Sequence, residues 1–163
     1  MPDSHHSPVP SEEVRTRTEE VLADHAHLEG ALLPVLHAVQ ATFGYIPQDA
    51  VPQIAAALNI GRAEVHGVIT FYHDFRDAPA GRHVVKICRA EACQAQGAND
   101  LADATLAKLG LEWHGTTANG ALTVEPVYCL GLCACGPAAM IDGQVIGRVD
   151  AKRMDDLLAE AGA

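Results

Sequence analysis

Tyr128-Cys129-Leu130-Gly131-Leu132-Cys133-Ala134-Cys135-Gly136-Pro137 decides how the rest of this sequence is read. Together with Cys88-Arg89-Ala90-Glu91-Ala92-Cys93 it holds all 5 cysteines of the chain, spaced C-x4-C and C-x3-C-x-C. Thiolates bind soft and borderline metals, and four of them close one tetrahedral site or a pair of them. Cysteines that merely fill a core do not fall into two tight groups. The pattern predicts a metal or metal cluster held between two loops.

Working outward, each cysteine group follows a strand pattern. His83-Val84-Val85-Lys86-Ile87 is β-branched and runs straight into Cys88. Leu122-Thr123-Val124 begins a second strand, interrupted at Pro126 and resumed through Val127-Tyr128 into Cys129. Two loops that leave strand ends can emerge from one edge of a sheet and bring distant ligands together. Gly131 lets the second loop turn and points backbone N–H groups at sulfur, which tunes a cluster's potential. Between the strands, Ala98, Leu101, Ala102, Thr105 and Leu109 mark a helix. Asp142-Gly143 predicts a hairpin joining Ala139-Met140-Ile141 to Gln144-Val145-Ile146. Asp150 caps a last helix with Met154, Leu157, Leu158 and Ala161 on one face. Strand, helix, strand, hairpin, helix is the order of a small α/β domain of thioredoxin-like type.

The first half is helical. Ser11 is the expected cap of a helix whose face carries Val14, Thr18, Val21 and Leu22, and Gly30 ends it. Leu32, Leu36, Val39 and Phe43 make an amphipathic stripe closed by Gly44 in a left-handed cap. Asp49 is the expected cap of a third helix, with Pro52 in its first turn and Ile54, Ala55 and Leu58 inward. A fourth runs from Arg62 towards Phe71 with Val65, Val68 and Ile69 inward, and Phe71, Tyr72 and Phe75 stand at its exit. Asp77-Ala78-Pro79-Ala80-Gly81 reads as a linker. The organisation is α+β: a tail at 1–10, a helical bundle at 11–76, and the cysteine-bearing domain at 82–163.

The 163 residues carry 11 Lys and Arg against 21 Asp and Glu, a formal net charge of -10. Such a surface has no basic patch with which to neutralise phosphates, so nucleic acid is not an expected partner. No stretch approaches the ~18 apolar residues of a spanning helix, and the first thirty residues lack a leader's apolar core. The expectation is a cytoplasmic chain without membrane insertion, where clustered cysteines serve metal or redox chemistry rather than disulfides. There is no G-x-G-x-x-G after a strand and no Walker loop, so the chain itself is not expected to bind a nucleotide. His37, His66 and His73 lie on helix patterns and are expected to be partly buried and structural. Trp113 reads as a packing residue. Arg89 and Glu91 can adjust electrostatics inside the first loop.

Three chemistries fit the cysteines. A structural Zn2+ uses comparable spacings. A [2Fe-2S] cluster uses four thiolates, two per iron, and shares the C-x4-C step with plant-type ferredoxins. A metal-free dithiol at Cys133-Ala134-Cys135 leaves the other three cysteines without a role. Spacing alone does not separate zinc from iron–sulfur.

A resemblance does. Gly30-Ala31-Leu32-Leu33-Pro34-Val35-Leu36, Gln40, Phe43-Gly44-Tyr45-Ile46-Pro47, Val65-His66-Gly67-Val68-Ile69-Thr70-Phe71-Tyr72 and Pro79-Ala80-Gly81-Arg82-His83 lead into C-x4-C and C-L-G-x-C. This sequence resembles the thioredoxin-like [2Fe-2S] ferredoxin family, the small iron–sulfur subunit of NADH dehydrogenase (respiratory complex I) and its soluble relatives. The resemblance implies a [2Fe-2S] cluster on Cys88, Cys93, Cys129 and Cys133, with Cys135 outside the ligand set. It implies no catalytic residue here, but one-electron transfer beside an FMN/NAD-binding, NADH-dehydrogenase-like beta subunit. The wording Cys88-Arg89-Ala90-Glu91-Ala92-Cys93-Gln94 and Cys129 to Pro137 is most similar to the gamma subunit of NAD-dependent formate dehydrogenase. That branch implies an alpha subunit with a molybdenum or tungsten cofactor. Complex I or an NAD-linked hydrogenase is the alternative host, and a zinc-stabilised adaptor without redox role the alternative of another class.

Overall fold

The computed structural model describes residues 11–162, so the tail expected at 1–10 lies outside the described residues. The chain divides into two compact units between Pro79 and Ala80. Seven α-helices and four strands are present among the described residues, an α+β arrangement as the sequence predicts.

The helical unit holds α1 (Ser11–His25), α2 (Leu32–Phe43), α3 (Val51–Leu58) and α4 (Arg62–Phe71). Val14, Val35, Leu36, Val39, Ile54 and Val65 are its buried centre, with Val21, Leu32, Phe43, Leu58 and Val68 packed around them. Gly44 closes α2 at φ 80°, its N–H donating to the Gln40 carbonyl at 2.7 Å. Two expected caps are not caps. Asp49 lies inside a 3-10 turn (Gln48–Ala50) that leads into α3, and its carboxylate accepts from the Ser11 hydroxyl at 2.7 Å. The two polar side chains satisfy each other across 38 residues instead of serving the nearest helix start. The start of α4 is capped by Glu64 in its first turn, whose carboxylate accepts from the Gly61 N–H at 2.7 Å. His37, His66 and His73 are exposed, contrary to expectation. His37 stacks on Phe75 with ring centroids 4.9 Å apart. Phe75 is buried in this unit's core, whereas Phe71 and Tyr72 stay exposed.

The second unit is a four-stranded sheet in the order β2-β1-β3-β4. β1 (His83–Cys88) and β2 (Leu122–Val127) are parallel, from His83 opposite Leu122 to Cys88 opposite Val127. β3 (Ala139–Ile141) pairs antiparallel with β1 and with β4 (Gln144–Ile146). The β3–β4 turn has Asp142 and Gly143 at φ 47° and 86°, the left-handed pair of a tight hairpin. α6 (Ala98–Leu109) is the crossover that parallel strands require. With α7 (Ala151–Glu160) it buries Leu101, Ala102, Leu106, Met154, Leu157 and Leu158 against Val85, Ile87, Leu122 and Val124. Asp150 caps α7 by accepting from the Arg153 N–H at 2.7 Å.

β2 runs unbroken across Pro126, where the sequence predicted an interruption. It is an edge strand, so alternate N–H groups point away from β1. The Val124 N–H already does so, donating to the Gly115 carbonyl at 3.1 Å, and Pro126 follows two residues later on the same side. A proline there costs no ladder bond. Behind the sheet core, Lys86 and Glu125 stand opposite each other and pair at 3.5 Å, with Glu125 buried.

Gly81 belongs to this unit rather than to a linker. Its N–H donates to Thr123 Oγ1 at 2.7 Å, and a Cβ would stand 2.8 Å from the Leu122 nitrogen. Gly81→Ala is expected to lower stability by about 2 kcal/mol in urea unfolding; a true linker glycine would tolerate the change.

Asp142 anchors the start of β1, accepting from His83 Nδ1 at 2.7 Å and from the Val84 N–H at 2.9 Å. Burial pushes its carboxyl up, but the hydrogen bonds from His83 and Val84 and the His83 charge hold it below its ordinary value of 3.8. A folded-state pKa below the unfolded one stabilises the fold above the unfolded value, and the benefit is lost as pH falls through the folded value. The stability advantage over Asp142→Asn should therefore be full at neutral pH and vanish on acidification below 3.8, as followed by thermal melts across pH.

Candidate metal centre

Because β1 and β2 are parallel neighbours, their C-terminal ends share one sheet edge. Cys88 is the last residue of β1, and Cys129 follows β2 by two residues. The Cys88 N–H donates to the Ala138 carbonyl and the Arg89 N–H to the Val127 carbonyl, at 2.9 and 2.7 Å, so both loops are pinned where they leave the sheet. The first loop then forms a short helix, α5 (Glu91–Gln94), which turns Cys93 back towards Cys88. The second passes through Cys129 at φ 128° and Gly131 at φ 78° into a 3-10 turn at Cys133–Cys135.

All five thiols are free. Cys88 and Cys93 lie within hydrogen-bonding reach of each other and are buried, 1% and 2% exposed. Cys129 and Cys133 are exposed, with sulfurs 4.0 Å apart. The Gly131 N–H donates to the Cys129 sulfur at 3.4 Å, the contact the sequence predicts for that glycine. Ala98 and Ala138 are buried with the first pair, and Ala90, Val127, Leu130 and Leu132 pack around them. The sulfurs are thus gathered two and two at the rim of an apolar cradle.

Electrostatics tie the two pairs together. Burial, the hydrogen bond with Cys88 and the charges of Cys88 and Cys133 push the Cys93 thiol up, against a lowering contact with the Ala138 backbone. The hydrogen bond with Cys129 and its charge, then slight burial and Cys88, raise Cys133. Cys93 and Cys133 thus resist ionising beside their neighbours, a penalty that a bound cation reverses. Among the described residues no three His, Cys, Asp or Glu side chains converge on one ion. A tetrahedral Zn2+ needs four donors about one centre. Two irons need two thiolates each, with sulfide completing the rest. The paired donor set fits the two-iron cluster.

Cys135 is built into the loop by its backbone. Its N–H donates to the Leu132 carbonyl at 2.8 Å, its carbonyl accepts from the Arg148 N–H at 2.6 Å, and its Cβ lies against Gly147. Trp113 packs against the sheet core, as expected, and also receives Arg89, whose guanidinium carbon is 5.2 Å from the ring centroid. That contact turns the Arg89 cation into a cation–π partner and away from a freely solvated loop surface. Sequence reasoning missed α5 and Gln96. The Gln96 amide joins the two cysteine loops, and nothing in its local sequence signals a contact 37 residues away.

Comparison with known proteins identifies the family. The sequence model of a family described as thioredoxin-like [2Fe-2S] ferredoxin matches residues 18–162. The NADP-reducing hydrogenase subunit HndA of Solidesulfovibrio fructosivorans is 32% identical over 132 residues, covering 81% of this chain and 77% of that one. A subunit of the NADH-quinone oxidoreductase of Pseudomonas aeruginosa is 35% identical over 139 residues, covering 85% of this chain and 84% of that one. A crystal structure of an NAD+-reducing [NiFe]-hydrogenase in the air-oxidised state superposes with a TM-score of 0.67 at 26% identity over 80% of this chain. The matched region is only 22% of that hydrogenase chain.

Substitution at Gly131 tests the loop geometry without replacing a cysteine. Nothing lies within 4 Å of a Cβ there, so only its positive φ opposes a side chain. Gly131→Ala should cost about 1 kcal/mol in thermal unfolding of the metal-free chain, and Gly131→Asn less, because asparagine tolerates the left-handed region.

Proposed function

The chain belongs to the thioredoxin-like [2Fe-2S] ferredoxin family, and on that premise we propose that it is the electron-transfer subunit of an NAD(P)-linked oxidoreductase complex. The cluster ligands in this reading are Cys88, Cys93, Cys129 and Cys133. The observation that carries the assignment is their grouping, a buried pair and an exposed pair on one sheet edge with no third donor beside either among the described residues. When bound, the [2Fe-2S] group supplies one-electron redox chemistry, at about -400 mV for all-cysteine plant-type centres.

The chain's own residues do the rest. The apolar cradle around Cys88 and Cys93 keeps water from one side of the site, and the Gly131 N–H donates to a ligand sulfur on the other. Exposed Cys129, Cys133 and Tyr128 form the face through which electrons exchange with a partner. That partner is the FMN/NAD-binding beta subunit, with the bundle at 11–76 as the clamp and the domain at 82–163 as the carrier. The acidic charge of -10 suits docking on a basic surface. On this reading the complex is cytoplasmic. No helix among the described residues is long and apolar enough to cross a membrane.

The relatives favour a host of the NADH-quinone oxidoreductase or NAD(P)-linked hydrogenase kind. A second reading, the gamma subunit of an NAD-dependent formate dehydrogenase with a molybdenum or tungsten alpha subunit, is favoured by the wording of the two cysteine stretches, Cys88 to Gln94 and Cys129 to Pro137. Purifying the intact complex through a tag on this chain separates them. Quinone-linked membrane subunits or nickel identify the first kind of host, and molybdenum or tungsten with formate oxidation the second.

Serine at any of the four ligand positions should abolish the visible chromophore of the anaerobically purified chain, while Cys135→Ser keeps it. Equal iron and acid-labile sulfide is the expected analysis. Zinc without sulfide would replace the carrier with a structural adaptor.

A further inference from the structure

Gln96 stands three residues beyond Cys93 and touches both cysteine loops. Its backbone N–H donates to the Cys93 carbonyl at 3.1 Å. Its side-chain Nε2 donates to the Ala92 carbonyl at 2.8 Å and to the Cys133 carbonyl at 3.0 Å. One neutral amide, with both its N–H groups engaged, therefore connects a residue of each cysteine loop. The contact is shaped from the other side as well. A Cβ on Gly136 would stand 2.8 Å from Nε2 and 3.1 Å from Cδ, so the amide fits only because residue 136 has no side chain.

The second loop needs such a brace. Cys129 and Cys133 are exposed, and the only regular structure between Cys129 and Pro137 is a three-residue 3-10 turn. A rigid two-iron centre, by contrast, demands one fixed separation between its two pairs of sulfurs. We propose that Gln96 is a positioning residue, setting the distance between the Cys88–Cys93 and Cys129–Cys133 pairs and so the retention and electronic structure of the cluster. The inference rests on the ligand reading given above.

Three variants isolate it. Gln96→Met removes both donors at similar length without adding charge. Gln96→Glu keeps the shape but turns oxygen towards two carbonyls. Gly136→Ala leaves Gln96 intact and displaces its amide. The measurements are the rate of iron release to a strong chelator, the EPR spectrum of the dithionite-reduced protein, and hydrogen exchange across 129–136 in the metal-free chain. Gln96→Met and Gly136→Ala should release iron about five- to tenfold faster, the effect of losing the one hydrogen bond that spans the two loops. They should also shift the EPR g-values and speed exchange across 129–136. Gln96→Glu should release iron faster still and lower the reduction potential. Wild-type release rates together with unchanged g-values in Gln96→Met and Gln96→Glu would overturn the proposal, as would a loss of fold stability with an unaltered spectrum. A wild-type chain that binds iron without sulfide, or none, overturns the ligand reading instead.

Discussion

The parallel ladder between β1 and β2 carries the whole arrangement. In an antiparallel pair the two strand ends would lie at opposite edges, and the cysteine groups that follow them would never meet. Parallel pairing puts Cys88 opposite Val127, so the next residues of both strands leave the sheet side by side. The requirement for a crossover then places α6 between the two groups in sequence, which is why 35 residues separate Cys93 from Cys129. The spacing of the cysteine groups is a consequence of sheet topology.

Burial divides the site unequally. Cys88 and Cys93 belong to an apolar cluster, while Cys129 and Cys133 face outward on a loop with two positive φ values. A site sunk at one end and open at the other suits electron exchange. The buried side limits solvent reorganisation, and the open side shortens the path to a partner. The same inequality explains why the second loop depends on hydrogen bonds from outside itself, from Arg148 to Cys135 and from Gln96 to Cys133.

Family membership and geometry converge on the cofactor but not on the host. The similar hydrogenase and NADH-quinone oxidoreductase subunits belong to assemblies that differ in the substrates they couple. Nothing in a two-iron carrier encodes that difference.

Most of the architecture was legible from residue order. The stripes Leu32–Leu36–Val39–Phe43 and Met154–Leu157–Leu158–Ala161 found their helices, Asp142-Gly143 its hairpin, and the two cysteine groups their strand ends. These signals are local: a period, a turn preference, a covalent neighbour. What the sequence could not show involves partners far along the chain. Ser11 and Asp49 look like helix caps until they meet each other across the bundle. Pro126 looks like a break until β2 proves to be an edge strand, and Gly81 like a linker until Leu122 crowds it. The pairing of sulfurs into a buried and an exposed set, and the Gln96 amide between them, likewise exist only once the sheet has formed. Side-chain identity determined which atoms could bind iron; backbone topology alone decided how far apart they stand.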